Sequence, residues 1–404
     1  MLNETDTVWN GSITTPRGYR ACGVRCGIKQ QGLDLALLVS EIPASVTAMF
    51  TSNRIKAAPV ILSQKLVQRG LAQALVINSG NANAMTGERG LADAKLMTEL
   101  VGNALNLDPS LVLVASTGVI GHYLPMDLIR SGIAEASQRL SPTGGDEAAQ
   151  AIMTTDTRPK HFAITFEING QICHIGAIAK GSGMIHPQLA TMIAVFTTDV
   201  AITSELLQAA LAEVVAETLN ALTIDGETST NDSVFMFANG LSGSPIIDSR
   251  GENYQKFLSA LRAISMAITK ELAADGEGAT KLVSVTVLKA ATRTEAFRAA
   301  KAIANSLLVK TAIFGQDPNW GRVISAVGAS GVILVPDQIT IKFADIPVAQ
   351  NGAAIAFDRA AMKKALQQPE ISISVALGAG EASATVYTCD LTYDYIKINA
   401  EYHT

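Results

Sequence analysis

Short apolar runs separated by glycine turns fill the first 120 residues. Residues 35–40 and 45–51 read as strands on either side of Glu41-Ile-Pro43. Residues 74–77 read as a third strand, which ends in the polar stretch Asn78-Ser-Gly-Asn-Ala-Asn83. Met97, Leu100, Val101, Ala104 and Leu105 recur at the i, i+3, i+4 spacing of one helix face. Residues 111–115 then form a strand running into the turn Ser116-Thr-Gly-Val-Ile-Gly121. The clearest hairpin pairs residues 162–168 with 171–179, because Asn169-Gly170 between them is the preferred dipeptide of a tight turn.

Beyond residue 200 helical and strand periods alternate. One helix carries the stripe Leu207, Leu211, Val214, Val215 and Leu222, and a longer one carries Tyr254, Phe257, Leu258, Leu261, Ile264, Ile268 and Leu272. Residues 282–288 read as a strand, and residues 294–310 as a single helix built on Phe297, Ala300, Ala304, Leu307 and Leu308. Asp317-Pro-Asn-Trp-Gly-Arg322 sets a tryptophan among turn formers. The remainder predicts strands at 331–336, 339–344, 371–376 and 384–399, with a short helix at 358–367. The whole predicts an α/β layered sandwich with mixed, largely antiparallel sheets.

Composition narrows the class. Hydrophobic residues make up 48% of 404 and the mean hydropathy is +0.26, so core material is ample. Yet charged or polar residues break every apolar run before the roughly 18 residues that a membrane span needs. The acidic first residues do not resemble an export signal. Cys22, Cys26, Cys173 and Cys389 are too sparse for a disulfide scaffold. A cytoplasmic location is therefore expected. A net charge of −5 without a long basic run argues against nucleic acid as a partner. His122, His161, His174, His186 and His403 lack paired spacing, so no metal is expected.

The stretch with most chemistry runs from Lys180-Gly-Ser-Gly-Met-Ile to Val200. Gly181, Gly183 and Pro187 keep its first half irregular, and from Thr191 it reads as a buried strand. Read locally, this is a loop entering a core strand. Cleavage of the Ala190–Thr191 bond would, however, leave Thr191 with a free α-amine beside its own hydroxyl. An N-terminal threonine runs nucleophilic catalysis with that amine as general base, and an α-amine pKa of about 8 suits the task.

Other segments offer partners. Ser116-Thr-Gly presents hydroxyl and main-chain donors of the kind an oxyanion hole uses, although strand-to-glycine turns are common. Ala151-Ile-Met-Thr-Thr-Asp-Thr157 is polar and threonine-rich. Asp225-Gly-Glu-Thr-Ser-Thr-Asn-Asp232 fits a loop better than a cation site, since EF-hand spacing is absent. Glu277, between two glycines, is either a turn residue or a counter-charge for an ammonium.

Together with Phe314-Gly-Gln-Asp-Pro-Asn-Trp-Gly-Arg322 and the tail Asn399-Ala-Glu-Tyr-His-Thr404, these blocks span essentially the whole chain. In that order they resemble the ornithine acetyltransferase family, also called glutamate N-acetyltransferases or ArgJ proteins, of arginine biosynthesis. The resemblance implies a precursor that cuts itself into an α chain of residues 1–190 and a β chain of residues 191–404, joined as an α2β2 heterotetramer. It implies a fold like that of the aminopeptidase DmpA, no cofactor, and N-acetylornithine and glutamate as small-molecule substrates. Acetyl-CoA is a further donor in some members. By position, Thr191 would be the nucleophile and Thr117 with Gly118 the oxyanion hole. Thr154, Lys180, Thr191, Glu277, Asn399 and Thr404 would contact substrate. Two alternatives remain at this stage, a threonine amidase or aminopeptidase of the same fold and a non-catalytic amino-acid-binding paralogue.

Overall fold

The structure, a computed structural model, describes residues 8–185 and 192–401. Among these residues one sheet contains nine strands: β1 (Val8–Trp9), β2 (Tyr19–Val24), β3 (Leu35–Phe50), β4 (Leu71–Asn81), β5 (Val112–Val119), β6 (Lys160–Ile168), β7 (Gln171–Lys180), β8 (Ile193–Thr198) and β9 (Ser233–Ala238). Their order is β1-β6-β7-β8-β9-β3-β4-β5, with β2 beside β3. The β4–β5 and β8–β9 pairs are parallel and the others antiparallel.

β3 unites regions that the sequence pattern separates. Residues 35–40 and 45–51 are not two strands but parts of one, whose first half pairs with β2 and β4 and whose second half pairs with β9. The register shifts between Val39 and Ala44, where Glu41, Ile42 and Pro43 are exposed. Pro43 supplies no N–H to a ladder, and a bulge is where a strand tolerates that loss. β3 thereby bends the sheet back on itself.

The two faces of β8 show the result. Ala194 and Phe196 join an outer core with helices Ser204–Glu217 and Glu252–Ala274. Ile193 and Val195 join an inner core with Leu75, Ile77, Leu113 and Ala115 of β4 and β5. The outer face of β4 and β5, through Ala74, Val76, Val112 and Val114, packs on Met97 and Val101 of helix Gly87–Leu105 and on Ile129 and Ile133 of helix Met126–Arg139. Helices thus lie outside two facing β-layers, the arrangement in which each sheet face and helix stripe finds an apolar partner.

A second mixed sheet holds β10 (Leu282–Ala290), β11 (Thr340–Phe343), β12 (Ile346–Gln350), β13 (Ala353–Ala354), β14 (Glu370–Ala376) and β15 (Ala382–Cys389), ordered β13-β12-β11-β14-β10-β15. Its own core draws on Ala299, Ile303, Val323, Val327 and Leu366. The hairpin β6–β7 forms as expected, with Asn169 and Gly170 at φ +48° and +80°, both in the left-handed region that its turn demands.

Four expectations in this half need correction. The helix expected over 294–310 is two helices, Arg293–Ala304 and Leu307–Phe314, because the Ser306 hydroxyl accepts the Val309 N–H at 3.3 Å and restarts the turn. Residues 332–335 pair with no strand, since Pro336 opens a 3-10 turn. Trp320–Ala329 is a helix, started by the Asn319 side chain accepting the Arg322 N–H. The strand expected over 384–399 stops at Cys389 and is followed by the helix Tyr393–Glu401. There the Asp390 carboxylate is taken by the Thr280 and Lys281 N–H groups, and Thr392 accepts the Asp394 N–H, so local capping overrides the alternating pattern.

Phe196 is fully buried in the outer core. Phe196→Ala is expected to cost about 3–5 kcal/mol, read as a fall in the denaturant midpoint at unchanged slope.

Candidate active site

β4 and β5 continue past the points where their apolar runs end. Asn78, Ser79 and Gly80 pair with Ser116, Thr117 and Gly118, so the turn expected at 116–121 begins as the last rungs of a ladder. Gly118 has φ +131°, and a Cβ there would lie 2.3 Å from the Gly80 carbonyl carbon. Only glycine fits that approach. The surrounding amides hold main chain together: Asn78 donates to the Asn81 carbonyl at 2.8 Å and accepts the Ser116 hydroxyl at 2.6 Å. Asn231 donates to the Ala82 and Ser116 carbonyls at 2.6 and 2.8 Å. The polar stretch at the end of β4 is therefore a backbone scaffold.

Lys180 ends β7 and is buried. Its Nζ donates to Thr154 Oγ1 at 2.7 Å and to Thr117 Oγ1 at 3.3 Å, which joins three separate segments. Residues 181–185, the described part of the loop that follows, are held at both ends by carboxylates. Asp156 accepts the Gly181 N–H at 2.7 Å, and Asp225 accepts those of Met184 and Ile185 at 2.6 and 2.9 Å. Met184 is thereby kept at φ +54°. Asp225 also accepts the Tyr395 hydroxyl at 3.3 Å. The acidic loop that Asp225 opens thus works as a main-chain clamp, and no cluster of three or more potential metal ligands occurs among the described residues.

Glu277 completes the arrangement. Its N–H donates to the Ser182 carbonyl at 2.8 Å, and its carboxylate accepts the Asn399 amide at 2.7 Å. Gly183 lies so close that a Cβ would sit 2.4 Å from that carboxylate. Asn399 arrives on the helix Tyr393–Glu401.

Thr117, Gly118, Thr154, Lys180, Glu277 and Asn399 all line one cavity, with about 100 Å³ open to water. Ala190, Thr191 and Thr404 lie outside the described residues. Met192 and Ile193, which follow Thr191 in the chain, line the same cavity, and the flanks of 186–191 are tied down by Ile224 N–H to the Ile185 carbonyl and Ser233 N–H to the Met192 carbonyl. Thr155, Ser229, Thr230, Asn231 and Asp232 also face the cavity. No single one of these was marked by the sequence reading, although the blocks that carry them were.

Comparison with known proteins decides the family: residues 20–404 match the model of the ArgJ family. This chain belongs to the ArgJ family. It is 48% identical over 397 residues to the arginine biosynthesis bifunctional protein ArgJ of Symbiobacterium thermophilum, covering 98% of this chain and 99% of that one. It is 46% identical over 401 residues to the protein of the same name from Caldanaerobacter subterraneus subsp. tengcongensis, covering 98% and 100%. Among solved structures, an ornithine acetyltransferase from Mycobacterium tuberculosis, complexed with ornithine, is 42% identical over 46% of this chain and 100% of its own, with a TM-score of 0.43.

Among the described residues the charged groups of this ArgJ-family site include the buried Lys180, Asp232 and Glu277, with Asp156 behind them. Burial pushes the Lys180 ammonium below its usual range, and Asp156, Asp232 and Glu277 oppose that shift. Burial alone would raise the Asp156 carboxyl, but the Lys160 and Lys180 ammoniums and the Gly181 N–H outweigh it and hold the group at about 2. A depressed carboxyl stabilises the fold above its unfolded value of about 3.9 and loses that contribution as pH falls through the folded one. Acid unfolding should therefore steepen between about pH 4 and 2, by on the order of 2 kcal/mol, and Asp156→Asn should flatten that limb in a pH series of denaturant melts.

Proposed function

We propose that this chain moves an acetyl group from N2-acetylornithine to glutamate through an ester on Thr191, in arginine biosynthesis. The observation that carries the reading is the cavity beside Met192, where Lys180, Thr154, Thr117 and Gly118 face the Glu277–Asn399 pair. An α-amino acid needs a cation or N–H donors for its carboxylate and an acceptor for its ammonium, and this cavity supplies both. Lys180 is suited to the α-carboxylate. Glu277, Asn399 and the Thr404 carboxylate are suited to the variable end, an ammonium in ornithine and a carboxylate in glutamate.

The precursor first cuts itself. The Thr191 hydroxyl attacks the Ala190 carbonyl carbon, the peptide nitrogen takes up the proton, and water hydrolyses the resulting ester. Residues 1–190 and 191–404 are then separate chains that stay together as an α2β2 heterotetramer. In the mature enzyme the Thr191 amine removes the proton of its own hydroxyl as the oxygen attacks the acetyl carbon. Thr117 and Gly118 stabilise the oxyanion, and the proton passes to the departing ornithine amine. The amine of glutamate then attacks the acetyl ester, and Thr191 regains its hydroxyl proton as acetylglutamate forms. The chemistry uses no cofactor. Acetyl-CoA can load the same threonine by the same attack, with coenzyme A as the leaving thiol, consistent with the word bifunctional in the names of the curated relatives. A cytoplasmic enzyme fits these substrates, and among the described residues no helix is long and apolar enough to cross a membrane.

On a denaturing gel the wild type should run as bands of about 20 and 22 kDa, in proportion to the 190 and 214 residues on either side of the bond in a 42.3 kDa chain. Thr191→Ala should give one uncut band and no transfer. Thr117→Val should lower kcat about 10²–10³-fold with little change in KM. Labelled acetyl should move from acetylornithine to glutamate, and supplying acetyl-CoA alone tests the second donor. Release of free acetate in place of acetylglutamate would make the enzyme an amidase.

A further inference from the structure

Asp156, Lys160 and Asp275 form a buried cluster behind the cavity and belong to none of the proposed substrate contacts. Lys160 Nζ donates to Asp156 at 2.7 Å and to Asp275 at 2.5 Å, and all three side chains are at most 1% exposed. Each carboxylate also holds main chain. Asp156 accepts the Thr154 and Gly181 N–H groups at 3.0 and 2.7 Å. Asp275 accepts the Thr157 N–H at 3.1 Å and the Thr157 hydroxyl, and stands two residues before Glu277. The partly exposed Arg158 guanidinium also pairs with Asp275 at 3.4 Å, and the segments bearing Thr154, Lys180 and Glu277 are thus tied to one buried charged centre.

A buried ion cluster is costly to assemble, and well-packed apolar residues often replace one without loss of stability. Its placement here matches a need of the cavity, where Lys180 must stay charged while buried. We propose that Asp156 is a positioning residue, which through Lys160 and Asp275 fixes Thr154 and Lys180 relative to Glu277 and sustains the Lys180 ammonium in its buried position. The claim rests on the role given to Lys180 in the transfer reaction.

Among the described residues, the charged groups that act on Lys180 are Asp156, Asp232 and Glu277, which favour its ammonium, and Lys160, which disfavours it. Lys29 is a further cation nearby, its Nζ bound to the Met153 carbonyl. The two partners act with opposite sign, which makes the test specific. In profiles of kcat/KM against pH, Asp156→Asn should move the alkaline limb to lower pH, and Lys160→Gln should move it to higher pH. Asp156→Asn should also raise KM for acetylornithine and lower kcat/KM roughly ten- to a hundredfold, the scale of a small misplacement of reacting groups. A purely structural cluster would reduce the amount of active enzyme alike at every pH. Unmoved limbs in folded variants, or limbs that move together, overturn the proposal.

Should both variants fail to fold, the wild type is decisive. With lysine carrying an NMR-visible nitrogen isotope, the Lys180 signal, assigned by its loss in Lys180→Met, should be that of an ammonium at neutral pH. An amine signal there overturns the proposal. The NMR reading does not require turnover, so it separates failure of the clamp from failure of the functional reading, which shows as absence of acetylglutamate from the wild type.

Discussion

Placing the Lys180 ammonium inside the protein is the constraint from which much of the site follows. A charge removed from water is tolerated only with paired charge and hydrogen bonds, and Lys180 meets both conditions at the end of β7. Thr154 and Thr117 accept its hydrogen bonds, and Asp156, Asp232 and Glu277 supply opposing charge. These residues come from chain segments far apart in sequence. Holding the cation in place therefore also assembles the cavity.

The sheet makes that assembly possible. Because β3 bends and pairs with β4 at one end and β9 at the other, the β4–β5 pair faces β7, β8 and β9 across the inner core. The end of β5 then meets the end of β7 through the Lys180–Thr117 contact, and Asn231, just before β9, reaches the Ser116 carbonyl. The flanks of residues 186–191 are held by Asp225 on one side and by Ser233 on the other. Anchoring on both sides suits the self-cleavage proposed for the bond between Ala190 and Thr191, because orientation supplies much of the rate in such reactions.

Much of this was legible in the residues. The Asn169-Gly170 turn located the β6–β7 hairpin, and the 3.6-residue period located the helices around Leu211 and Leu261, because burial on one face leaves a spacing that survives in sequence. The candidate residues Thr117, Gly118, Thr154, Lys180, Glu277 and Asn399 were each named from blocks of sequence, and the structure brings all six to one cavity. Three of the misreadings share a cause. Residues 294–310, 320–329 and 393–401 were decided by side chains capping neighbouring N–H groups, which periodicity does not register. Residues 35–50 form one strand because two different partners complete its ladder.

By itself, then, the sequence determined the layered α/β class, the family, and which short segments carry reactive side chains, since composition and local period depend on neighbours along the chain. Only the tertiary structure decided that Asp156, Lys160 and Asp275 share one buried centre, and that Gly118 is required by the approach of Gly80. It likewise decided that Asp225 holds main chain. Each of those facts is a distance between residues remote in sequence, set by how β3 bends and how the two β-layers pack.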